Sequence, residues 1–204
     1  DDYDLVFGQM FQSAKIATDS VYADWNQIPY VDLSKPWYTK SIQQASIGDK
    51  LFMIESDLSV MYTEQTWLLV YNQTKAADYG DMPDLYQLVR DGKWTLDAFN
   101  SIIAGIYSDL NGNTARDEND FFGFGANQDG CQLAAFVYGC DVRLARIEPD
   151  LSLTHEIASE KAIDALTKLT TIFNVNEGSV RKSDNISTAV DSRTKLFTNG
   201  TVMF

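Results

Sequence analysis

A chain of 204 residues with 45% apolar side chains is long enough for one large core or two modest lobes, and its composition is ordinary for a globular protein. The formal net charge of −13, with 16 Lys and Arg scattered among 29 Asp and Glu, argues against nucleic acid or an anionic membrane surface as partner. No apolar run approaches the roughly 20 residues of a membrane span.

In chain order, Asp4-Leu-Val-Phe7 reads as a short buried strand ending at Gly8. Gln9–Trp25 is poorly periodic and mixes helix with loop. Ser34 can cap a helix with Pro36 in its first turn, running to about Ala45. Residues 47–54 read as a turn feeding a strand, and Thr66–Tyr71 (TWLLVY) as a second buried strand that stops at Asn72. Asp81 can cap a helix with Pro83 in its opening turn, closed at Gly92 by a left-handed residue. Thr95 caps the next helix, Asp97 complements its dipole, and Phe99, Ile102, Ile103 and Ile106 mark a buried face.

That helix runs into the acidic loop Asp109–Asp120, and the apolar strand Phe121–Phe124 follows. A polar turn and a short helix, Gln132–Tyr138, come next, the helix ended by Gly139. Val142–Ala145 reads as a strand. Ser159–Phe173 is an amphipathic helix, with Ala162, Ile163, Leu166, Leu169 and Phe173 on one face. Ser187–Thr198 is another, closed by Asn199-Gly200, and Thr201–Phe204 begins a strand. Alternating strands and helices give an α/β fold class. The chain opens and closes on apolar strands without polar tails, as a central piece of a longer protein would. The start, Asp1-Asp2-Tyr3-Asp4, has no signal-peptide pattern, so an export signal would lie upstream or have been removed.

The acidic loop carries oxygens at loop positions 1 (Asp109), 3 (Asn111), 5 (Asn113), 9 (Asp117) and 12 (Asp120), and the Ala115 carbonyl falls at position 7. Calcium takes six to eight oxygens, and this spacing can wrap them around one centre. Thr114 stands where an EF-hand-type loop has glycine, and Asp120 is one methylene shorter than Glu. A solvated Asn/Gly/Asp turn is the other reading of the same residues.

Two cysteines, Cys131 and Cys140, exclude zinc fingers and disulfide frameworks. A helix between them holds them roughly 13 Å apart, too far for a disulfide, so both are expected as free, buried thiols. The single histidine, His155, reads as a surface residue, and no Gly-x-Ser-x-Gly elbow or glycine-rich phosphate loop exists. Hydrolytic triads, phosphoryl transfer and nicotinamide chemistry have no support.

The segments YDLVFG, IPYVDLSKPWY, IGDKLFMIESD, TWLLVYNQTKAADYG, DLYQLVRDGKWTLDAF, SDLNGNTARDENDFFGFG and KLFTNGTVMF, in this order, resemble an extracellular solute-binding protein of the family 1 type. These are sugar-binding components of ABC importers, related to maltose-binding proteins. The resemblance implies a two-lobed, type II periplasmic-binding-protein-like fold, incomplete here at both ends. Residues 1–67 would be a partial first lobe, 68–72 the hinge crossing, and 73–204 most of the second lobe. It implies no chemistry: a monomer captures a carbohydrate in the interlobe cleft and hands it to the permease subunits. It would work at the cell surface, lipid-anchored through a missing N-terminal segment.

In such a fold, ligands meet the loops at the carboxyl ends of strands. Those places are Gly8, Gln9 and Phe11; Tyr62, Glu64, Gln65 and Trp67; Asn127, Gln128 and Asp129; and Trp37 with Tyr38. Gln65 aligns with a carboxylate contact of maltose-binding relatives, changed here from acid to amide. Amides and carboxylates pair with sugar hydroxyls, and aromatic rings pack on sugar C–H faces. Packing is the ordinary role for Trp67 and for Trp37. A glycoside hydrolase would need two carboxylates facing across a cleft, such as Glu55 with Asp57 or Glu64 with Asp129. A calcium-dependent carbohydrate-interaction module, like a dockerin, would need paired loops, where this chain has one.

Overall fold

The computed structural model describes residues 4–19, 21–39, 42–60, 64, 66–117, 119–127, 130–148, 150, 152–182 and 194–204, with Phe11, Thr18, Gln44, Asn127, Ile147 and Lys182 described in their backbone only. Two compact units are formed, one from Asp1–Trp67 with Ala145–Thr154, the other from Leu68–Leu144 with His155–Phe204. The architecture is mixed α/β. Among the described residues no helix is long and apolar enough to cross a membrane.

The first unit has little regular structure. Its α-helix with described bounds is α1 (Met10–Ala14), followed by 3-10 turns at Ala17–Asp19, Trp25–Gln27 and Ile42–Ala45; Val60 and Glu64 are also helical. Asp24 ties two stretches together: its carboxylate accepts from the Asn26 and Leu51 N–H groups, both at 3.0 Å. Leu51 is fully buried beside that link. The predicted turn is present, since Gly48 takes φ +65° within an Ile47–Lys50 bridge. The strand predicted after it is not. Residues 51–55 carry no assigned strand, and among the described residues the pairing that follows is a single Tyr38–Ser56 bridge.

The Ser34–Ala45 helix is also corrected. Asp32 accepts from both the Ser34 N–H (3.0 Å) and hydroxyl (2.6 Å), making an Asx turn, and a hydroxyl that donates to a neighbouring carboxylate does not cap a helix. Asp4–Phe7 is not a buried strand either: Leu5, Val6 and Phe7 are 55%, 61% and 67% exposed. Thr66–Tyr71 fails in the same way, with Leu68 76% exposed and no assigned strand. An apolar run becomes a strand only when a partner supplies its ladder, and neither run finds one among the described residues.

The second unit is better ordered. Asn72, expected only to stop a strand, caps α2 (Gln73–Asp78) by accepting from the Lys75 N–H at 3.0 Å. α3 (Leu85–Arg90) is capped by Asp84, not Asp81, because Pro83 precedes the cap instead of opening the helix. It closes as expected on Gly92 (φ +66°), with Lys93 N–H donating to the Leu88 carbonyl at 2.9 Å. α4 (Leu96–Ala104) takes its predicted Thr95 cap and buries Phe99 and Ile103.

α4 does not run into the acidic loop. A short strand, β1 (Tyr107–Ser108), intervenes and pairs antiparallel with β2 (Phe121–Phe122), so the loop closes a hairpin. After Gly123 the chain continues as β3 (Phe124–Asn127). Then α5 (Gly130–Gly139) runs through the glycine expected to end it. The left-handed closing residue is Asp141 (φ +54°), with Val142 N–H donating to the Val137 carbonyl. The strand foreseen at Val142–Ala145 begins later, as β4 (Ala145–Ile147), which pairs with β5 (Leu153–His155) in the stretch grouped with the first unit; Val142 is core of the second instead.

α6 (Glu160–Thr170), capped by Ser159, widens into a π turn at Thr171–Val175. Its buried stripe is Ala162, Ala165, Leu169, Ile172 and Phe173. Ile163 is 55% exposed, a correction that follows from the 3.6-residue period centring the face one position away. β6 (Ser179–Lys182) pairs parallel with β3, from Phe124 opposite Ser179 to Asn127 opposite Lys182.

Only residues 194–198 of the last predicted helix are described; they are helical and close on Gly200 (φ +70°). Residues 201–204 then lie along β2 and β3: Phe122 N–H donates to Thr201, Met203 N–H to Phe122, and Gly125 N–H to Phe204. The core beneath is aromatic, with Phe99 edge-on to Phe124 (5.2 Å) and Phe204 (5.3 Å), and Phe136 edge-on to Phe173 (5.5 Å).

Candidate functional site

The best-defined polar constellation is the 109–120 loop. Asp109 accepts from the Gly112 N–H (2.7 Å) with one oxygen and from the Thr114 N–H (2.9 Å) with the other. Asn111 accepts from Asn113 N–H at 2.9 Å, and Asn113 from Ala115 N–H at 2.8 Å. Asp117 accepts from the Asn119 N–H (2.8 Å) and from the Asn113 amide (3.0 Å), and these bonds, the backbone one first, hold its carboxyl below the usual carboxylate range. Thr114 supplies the sharp turn itself, at φ +62°, the left-handed region that glycine would enter without strain.

Asp120 is fully buried at the foot of the loop. It accepts from the Tyr107 hydroxyl (3.0 Å) and from the Asp117 (3.2 Å) and Leu110 (3.3 Å) N–H groups. Desolvation first, then the Asp120 bond, pushes the Tyr107 hydroxyl above its ordinary value. Arg116 lies over the Tyr107 ring at 3.9 Å and donates to the Glu177 carbonyl at 2.7 Å. The predicted oxygens are therefore on one loop, turned toward its own backbone donors. Among the described residues no three His, Cys, Asp or Glu side chains are gathered as a metal-holding group.

The predicted ligand residues are less completely placed. Gln9 precedes α1 as an exposed N-cap without a side-chain capping bond, and Phe11 lies within α1. Trp37 is 47% exposed, its ring 6.3 Å from that of Tyr38. Glu64 is helical and exposed. Trp67, read as core, is 49% exposed, and among the described residues no strand pairs with the run around it. Asn127 is the last residue of β3, within the strand instead of after it. Tyr62, Gln65, Gln128 and Asp129 lie outside the described residues. Both cysteines are free, but Cys131 is exposed at the start of α5, so only the half-buried Cys140 fits the buried expectation in part. Partial burial pushes the Cys140 thiol up, which suits an unreactive packing role.

One residue that sequence reasoning passed over is Lys182, which the parallel register sets opposite Asn127. Nothing local marks it, because its neighbour is fixed by strand pairing. Comparison with protein-family models, curated proteins and solved structures finds no match for this chain.

Proposed function

We propose that this chain belongs to an extracytoplasmic solute-binding protein with a two-lobed periplasmic-binding-protein-like fold, which captures a carbohydrate and delivers it to an ABC importer. The observation that carries this reading is the order of the segments from YDLVFG to KLFTNGTVMF along the sequence. The reading places the crossing between lobes at residues 68–72; the compact units divide at Trp67/Leu68, with Ala145–Thr154 grouped with the first. In this reading the protein is a monomer at the cell surface, held by a lipid anchor outside the present sequence, and performs no chemistry on its cargo.

Tryptophan fluorescence during titration with a panel of oligosaccharides tests it. Trp37 and Trp67 are about half exposed, so covering either by a sugar or by a moving segment alters emission, whereas Trp94 packs against Phe99 and Phe204. Saturation by one saccharide class, with the sugar recovered intact, is the expected result. Recovery of cleaved sugar would replace the reading with a glycoside hydrolase.

The same proposal keeps calcium at the 109–120 loop as a structural staple, held by Asp109, Asn111, Asn113, Asp117, Asp120 and the Ala115 carbonyl. The left-handed Thr114, which gives the turn such a loop requires, favours it. A calcium-dependent rise in melting temperature, absent with magnesium, is the expected result; equal melting in calcium and in chelator retires the staple.

A further inference from the structure

Arg116 is the one basic residue of the 109–120 loop, yet its guanidinium reaches out of the loop. Its centre lies 3.9 Å from the Tyr107 ring, one nitrogen donates to the Glu177 carbonyl at 2.7 Å, and another stands 3.7 Å from the Glu177 carboxylate. The exposed ion pair adds little. A planar guanidinium held between a ring and a main-chain acceptor is nevertheless fixed in place.

Glu177 stands at a junction. The Asn176 side chain accepts from the Gly178 N–H at 2.8 Å and donates to the Asn100 side chain of α4 at 2.6 Å. The Gly178 carbonyl accepts the Phe124 N–H at 2.9 Å, the bond from which the parallel pairing of β3 with β6 begins. A bond to the Glu177 carbonyl therefore grips the main chain one residue before that first rung. Within the loop, Arg116 is bracketed by bonds from Asn113. Its side chain accepts from the Ala115 N–H at 2.8 Å and donates to the Asp117 carboxylate at 3.0 Å.

We propose that Arg116 is a strap through which the order of the 109–120 loop is passed to the start of the β3–β6 pair. With the strap in place, slack in the loop is felt at Gly178. Without it, loop and ladder open separately. Whatever orders the loop then tightens the ladder as well.

A double-mutant cycle read by native-state hydrogen exchange tests this on the whole chain. Chelator is present throughout, so the outcome is independent of the calcium staple. The readout is exchange of the Phe124 amide relative to that of Leu169 in α6, which removes changes shared by the whole fold. Asn113→Ala loosens the residues on either side of Arg116 and is expected to speed Phe124 about fivefold. Arg116→Met keeps an apolar chain beside Tyr107 and loses the donor, and is expected to speed Phe124 by a similar factor. Adding Asn113→Ala to Arg116→Met is expected to change Phe124 no further, while Arg116→Lys, which keeps a donor, retains part of the response. A Phe124 amide indifferent to Asn113→Ala in the otherwise unchanged chain overturns the strap. So does equal acceleration by Asn113→Ala in the Arg116→Met background, which would send the coupling by another route.

Discussion

The Tyr107 hydroxyl donates to the buried Asp120 carboxylate at 3.0 Å, joining the first strand of the hairpin to the residue that ends its loop. Asp120 also accepts two backbone N–H groups, so one side chain closes both ends of the acidic loop. Asp120→Ala leaves three donors without this partner at a part-buried site, and an unpaired donor costs about 1–3 kcal/mol before relaxation and water entry reduce it. We expect a loss of roughly 2–4 kcal/mol in urea unfolding. Tyr107→Phe removes one donor together with its need for a partner, and should cost clearly less. An Asp120→Ala variant as stable as the wild type would show that the loop closes without this carboxylate.

Thr114 gives a prediction of opposite sign. A non-glycine residue at φ +62° is strained by about 1–2 kcal/mol, and glycine relieves that strain at some cost in unfolded-chain entropy. Thr114→Gly should therefore stabilise the chain by roughly 0.5 kcal/mol. Gly112, at φ +71° in the same loop, should behave in reverse, with Gly112→Ala destabilising by about 1 kcal/mol. The pair is read from chemical-denaturation midpoints, and a destabilised Thr114→Gly contradicts the strain argument.

What could be read from sequence divides along a physical line. Thr95, Gly92 and Gly200 act through hydrogen bonds within one turn, so their roles were legible in the residues themselves. Leu5–Phe7 and Leu68–Val70 were not, because an apolar run says nothing about whether a partner strand exists to cover it. Tyr107–Ser108 was missed for the complementary reason: two residues carry no period, and pairing with Phe121–Phe122 makes them a strand. At the candidate site, the loop oxygens were legible from spacing, whereas the position of Lys182 beside Asn127 depends on a parallel register that no local pattern encodes.

Several carboxylates set the response to acid. Asp117 is held below its ordinary 3.8 by the Asn119 N–H and then the Asn113 amide, and Asp141 by its bond to Lys161. A carboxyl whose folded value is depressed adds stability above its unfolded value, and that stability disappears as the pH falls through the folded one. Stability should thus be level from neutrality down to about pH 5 and fall below about pH 4. Asp117→Asn, which cannot titrate, should flatten part of that fall. Unfolding midpoints between pH 6 and pH 3 measure it, and an acid limb identical to that of the wild type would remove Asp117 from the account.

Gly178 offers the sharpest steric test. A Cβ at this residue would lie 1.8 Å from the carbonyl oxygen and 2.6 Å from the carbonyl carbon of Ile103, both backbone atoms. No side-chain rotation can relieve such a clash. Either β6 retreats from the end of α4, or the Ile103 carbonyl, which accepts the Ile106 N–H at 3.0 Å, swings away. Both moves disturb the contact of Phe124 N–H with the Gly178 carbonyl (2.9 Å), where the parallel pair of β3 and β6 begins. Overpacking of this kind typically costs about 1–3 kcal/mol, and Gly178→Ala should reach the upper end because the obstacle is main chain. Gly139→Ala is the control: a Cβ there meets nothing within 4 Å, and alanine favours the helix, so a gain of up to about 1 kcal/mol is expected. If both substitutions prove neutral, the close approach of β6 to α4 is wrong. Loss in the first with gain in the second is the outcome expected of main chain packed on main chain at Gly178 and Ile103.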